Sequence, residues 1–72
     1  MALLKYSAVE NGVTWWFLYE LEEGRPRARF LKRFGSEEEL DLEAAAKYGE
    51  SPADGVREIC VALSGVASKR MV

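Results

Sequence analysis

From Ala2 to Leu21 the chain alternates in side-chain character with a period close to two, interrupted at Asn11-Gly12. Period two is the strand signature, and Asn-Gly is the strongest short hairpin signal because a type I′ turn needs positive φ at both central residues. With Asn11-Gly12 as a two-residue loop, Glu10 faces Val13, and the pairs run outward through Ala8/Trp15, Ser7/Trp16, Tyr6/Phe17, Lys5/Leu18 and Leu4/Tyr19 to Ala2/Leu21. Facing residues share a side of the sheet, so Ala2, Leu4, Tyr6, Ala8, Trp15, Phe17, Tyr19 and Leu21 form one apolar face. The other face collects Leu3, Lys5, Ser7, Val9, Thr14, Trp16, Leu18 and Glu20, a mixed set. A slip of one residue would scramble this division, which ties the register to burial.

A second connection at Glu23-Gly24-Arg25-Pro26 leads to a strand over residues 27–34. Pairing Leu21 with Ala28 sets Glu22 opposite Arg27, Glu20 opposite Arg29, Leu18 opposite Leu31 and Trp16 opposite Arg33. Ala28, Phe30 and Phe34 then fall on the apolar face, with Lys32 as the one misfit, which a bulge or a snorkelling side chain would relieve. Helical signals begin at Ser36-Glu37-Glu38-Glu39, a capping box with acids at the positive end of the helix dipole. Leu40, Ala44 and Tyr48 share a stripe, and Gly49 is placed to terminate. Ser51-Pro52-Ala53-Asp54 repeats the start signal, and Val56, Ile59, Cys60, Leu63, Val66 and Ala67 follow an amphipathic spacing. A frayed tail is expected over residues 68–72. These elements predict one α+β domain spanning residues 1–72: a three-stranded antiparallel β-meander followed by two α-helices packed on one face of the sheet.

Length and charge narrow the function. A chain of 72 residues has room for one core, and a core that small confers only about 3–5 kcal/mol of stability, so association with a partner or with itself would help it. Cys60 is the only cysteine, which excludes a disulfide framework and fits a reducing, cytoplasmic setting. The N-terminus lacks the basic start and apolar run of a signal peptide, and no apolar stretch approaches the ~20 residues a bilayer requires. The formal net charge is −2, against the basic balance of a general nucleic-acid binder. The distribution is segregated: Arg25, Arg27, Arg29, Lys32 and Arg33 fall together without an acid, and Glu37, Glu38, Glu39, Asp41, Glu43 and Glu50 follow against Lys47 alone.

The inventory for catalysis is thin. Histidine is absent, which removes the commonest general base and metal ligand. Cys60 lies on the apolar stripe of the last helix and reads as a structural thiol. The acidic run lacks the spacing and glycine of a calcium loop, and no phosphate-binding glycine loop is present. No enzyme activity, cofactor or metal is expected. The register instead turns Trp16 to solvent beside Leu18 and Leu31, ringed by Lys5, Ser7, Arg29 and Arg33. An apolar patch rimmed by charge marks an interaction site, and Trp and Arg are enriched at binding hot spots. The expected partner-binding residues are therefore Lys5, Trp16, Leu18, Arg29, Leu31 and Arg33, with Glu37, Glu38 and Asp41 as a secondary acidic surface. A protein partner is favoured. The alternatives are a nucleic acid held by the basic third strand with Trp16 as a stacking platform, and an obligate homodimer through the open sheet face. In size, sheet-plus-helices plan and segregated charge the chain is similar to the small inhibitors encoded by phages and mobile elements, anti-CRISPR proteins among them. That similarity, of architecture alone, implies a protein that binds and blocks a larger assembly.

Overall fold

The computed structural model describes residues 2–22 and 27–70, with side chains described up to Leu63. The predicted turn at residues 23–26, residues 71–72 and the side chains of Val66 and Ala67 lie outside what is described, and the tail expected to fray from residue 68 instead continues as helix to Arg70. Strands β1 (Ala2–Glu10) and β2 (Val13–Leu21) form the hairpin in the predicted register, from Glu10 opposite Val13 to Ala2 opposite Leu21. Asn11 and Gly12 both take positive φ, 52° and 78°, as a type I′ turn requires. Strand β3 (Ala28–Phe34) pairs antiparallel with β2, and helix α1 (Glu37–Tyr48) follows after two residues. The Ser36 side chain accepts a hydrogen bond from the Glu39 amide at 3.2 Å, and Gly49 closes the helix in the left-handed region with its amide on the Ala45 carbonyl at 3.0 Å.

The sheet has four strands in the order β3-β2-β1-β4, because the short β4 (Ala53–Asp54) adds parallel to β1 at Leu4 and Lys5. Ala53 and Asp54 therefore make an edge strand where the segment Ser51-Pro52-Ala53-Asp54 predicted a helix start. Helix α2 (Arg57–Arg70) begins only after Gly55-Val56, and the Val56 carbonyl accepts from the amides of Ile59 and Cys60. The physical reason lies in the backbone of β1. Its outer edge gains partners for groups that a meander alone leaves bare. Gly55 completes the join by donating its amide to the Lys5 carbonyl at 2.8 Å, and a Cβ there would stand 3.3 Å from both Leu4 and Cys60.

The two helices cover opposite faces of the sheet, which corrects the expectation of two helices on one face. One core joins Leu3 and Leu18 of the sheet with Phe34, Leu40 and Ala44, and Trp16, Leu31 and Tyr48 pack against it under α1. The other joins Tyr6, Tyr19, Ala28 and Cys60, with Leu4, Ala8, Phe17, Leu21 and Leu63 around it under α2. A β-bulge produces the split. Leu21, Glu20 and Tyr19 pair with Ala28, Arg29 and Phe30 as expected, but the register then shifts between Leu18 and Tyr19. Lys32 comes opposite Leu18 and Phe34 opposite Trp16, replacing the expected pairs Leu18/Leu31 and Trp16/Arg33. Phe34 thus turns to the mixed face, and the short link through Gly35 and Ser36 drops α1 onto that same face.

Candidate functional site

Helix α1 covers much of the surface expected around Trp16. Leu18 is 1% exposed, Lys5 is 8% exposed, and Trp16 and Leu31 are half-buried against the α1 core. Burying Lys5 demands counter-charges, and the acidic start of α1 supplies them: the Lys5 Nζ lies 2.7 Å from Asp41 and 2.9 Å from Glu37. The bond Lys5 donates to Asp41, reinforced by Glu37, raises the Lys5 pKa above its ordinary value of 10.5 against the opposing effect of burial. Lys32, the sequence misfit, donates to Glu43 of α1 at 3.1 Å. Glu37 and Asp41 thus serve as lid residues over Lys5, while Glu38 stays exposed beside them. This burial withdraws Leu18 from contact and leaves Lys5 only a small exposed remnant.

The arginines divide between the faces. Arg29 bonds Glu20 at 2.6 Å, which raises the guanidinium pKa further, and Arg27 stands 3.9 Å from Glu22. Arg33 is carried by the bulge to the α2 face, where its Cζ stacks over the Trp15 ring at 4.2 Å. There it joins a ladder of aromatic rings. Tyr6 stacks on Phe17 at 5.0 Å and on Tyr19 at 5.7 Å, while Phe30 meets Tyr19 at 5.5 Å and Phe17 at 6.3 Å. Helix α2 seals only part of this face: Tyr6, Tyr19 and Cys60 are buried and Trp15 and Phe17 half-buried, whereas Arg33 is exposed and Phe30 is 47% exposed. Burial, together with the neighbouring Tyr19, pushes the Tyr6 phenol well up, and burial raises the Cys60 thiol. Both groups stay protonated and unreactive near neutral pH.

Of this surface only Arg33 is among the expected contact residues; Trp15, Phe17 and Phe30 read from the sequence as core. Lys32 held the signal. A bulge that resolves its misfit turns Arg33 toward Trp15 and Phe34 away, which leaves Phe30 with fewer apolar neighbours.

A second feature lies at the opposite edge. A groove of about 650 Å³ runs beside β1, lined by Lys5, Ser7 and Trp16, by Glu37 of α1, and by the β4–α2 connection from Asp54 to Glu58. Among the described residues no group of three or more acids, cysteines or histidines is placed to hold a metal ion, and no helix is long and apolar enough to cross a membrane. Comparison with family models, curated proteins and solved structures gave no match, so the geometry alone carries the functional argument.

Proposed function

We propose that the protein is a non-enzymatic protein-binding module that engages a larger protein through Trp15, Phe17, Phe30 and Arg33. The observation that carries this is the half-covered aromatic ladder, with Phe30 exposed and Arg33 already stacked on Trp15. Rings held by one another lose little freedom on binding, and buried aromatic and arginine anchors dominate interface energies. The same surface with the small size supports the finer reading of an inhibitor of a larger assembly, of the kind carried by phages and mobile elements and acting in the reducing cytoplasm. A nucleic-acid role is disfavoured by local neutralisation. Arg27, Arg29 and Lys32 each face a carboxylate, so the basic strand has little charge left for phosphates.

The test is affinity capture from host lysate with the wild-type chain and with Phe30→Asp, each with and without nuclease. The proposal expects a protein retained through nuclease by the wild type and lost from the variant. A catch that nuclease removes would favour nucleic acid instead. Equal capture by both chains would exclude the aromatic surface, and a dimeric mass abolished by Phe30→Asp would assign it to self-association.

A further inference from the structure

β4 pairs only with Leu4 and Lys5 before the chain turns away into α2. The bond from the Gly55 amide to the Lys5 carbonyl shows that the backbone groups of Lys5 point outward, away from β2. Alternation along β1 turns the N–H and C=O of Ser7 and Val9 the same way. Among the described residues no strand pairs with them on that side. Unpaired edge groups are a template for an added strand.

The groove described above opens along this edge at Ser7, and its charge is predominantly acidic. Glu37, Asp54 and Glu58 outnumber Arg57 and Lys5 three to two, and Asp41, outside the lining, shares Lys5 with Glu37. Trp16, directly across the ladder from Ser7, contributes half-buried aromatic surface to the lining, and the Lys5 Nζ already stands 5.9 Å from its ring centroid. A cation over such a ring is favourable, and more so beside carboxylates. We infer that the edge of β1 at residues 7–9 binds an extended peptide segment rich in arginine or lysine, which adds as a strand beyond β4 and lays a basic side chain over Trp16. The site is separate from the aromatic surface of the proposed function.

The probe is a fluorescein-labelled short peptide alternating arginine and valine, titrated against the full chain by anisotropy beside a peptide alternating glutamate and valine. The arginine peptide is expected to bind saturably and about tenfold or more tighter than the glutamate peptide, with amide shift changes centred on Ser7 and Val9. Glu58→Lys, at an exposed position, is expected to weaken binding about tenfold. Val9→Pro removes only an outward N–H from an edge, where proline is tolerated, and is expected to abolish binding. Phe30→Asp is expected to leave it unchanged, which separates failure here from failure of the aromatic surface. Equal affinity for the two peptides, shift changes centred on Trp15 and Phe30, or full binding by Glu58→Lys would overturn the assignment.

Discussion

The two faces of the sheet are built from the same three long strands and covered by helices of similar length, yet they are finished in opposite ways. Beneath α1 the strands offer a mixed set, and every described lysine there is matched: Lys5 by Glu37 and Asp41, Lys32 by Glu43. Leu18, Leu40 and Ala44 close that side almost completely. Beneath α2 the strands offer a richer aromatic set, but the helix contributes only Cys60 and Leu63 from its described residues to cover it. The more apolar face is therefore the less sealed one. Apolar content says what a face gains from burial, whereas cover depends on where the next helix is delivered.

Truncation separates the two faces by the widest margin. Leu18→Ala and Leu40→Ala should each cost about 2–5 kcal/mol, since both side chains are enclosed and leave cavities. Phe30→Ala on the other face should cost about 1 kcal/mol or less despite the larger side chain. Denaturant unfolding measures all three, and a Phe30 loss equal to that of Leu18 would mean the α2 side is closed as well.

The adjacent tryptophans give a finer comparison. Trp16 packs against the α1 core, and Trp15 is held by the Arg33 stack at the open end. Trp16→Ala should cost about 2 kcal/mol and Trp15→Ala about 1. The reverse order would restore the solvent-facing Trp16 that the alternation alone predicts.

Lys5 provides a pH-dependent test of the lid. Its folded pKa is raised, so its stabilising pairing is fully present below the ordinary value of 10.5 and is lost as pH rises past that value. Lys5→Met should lose about 1–2 kcal/mol at neutral pH, a modest figure because Glu37 and Asp41 remain half-exposed. Its margin below the wild type should shrink above pH 10.5, as urea titrations at several pH values would show. The smallest effect concerns the turn, where Gly12→Ala at φ 78° should cost about 1 kcal/mol by chemical denaturation and leave both faces unchanged.

The hairpin was legible because two independent constraints agreed: turn chemistry at Asn11-Gly12 and the alternation on both sides of it. The first helix was legible through Ser36 and Gly49, each a local capping signal. The placement of the helices was not, since it hangs on one extra residue in β3 that flips Phe34 across the sheet. Lys32 marked the irregularity without saying which neighbours would move. Ser51-Pro52 misled because its helix-start chemistry is local, while the pairing of Ala53 and Asp54 with β1 is a tertiary gain that local propensity does not contain. Among the expected site residues, Arg33 reached an exposed aromatic surface by that same bulge, and Lys5 and Leu18 were lost to the core by the arrival of α1.

The most direct test of the opposed faces is the set of through-space proton contacts in solution. The fold predicts methyl contacts linking Leu40 and Ala44 to Leu3, Leu18 and the Phe34 ring, with Cys60 and Leu63 contacting the Tyr6 and Tyr19 rings. A soluble paramagnetic agent should broaden Phe30 and Trp15 far more than Leu18. Contacts from Leu40 to the rings of Tyr6 or Tyr19, or equal broadening of Leu18 and Phe30, would contradict it.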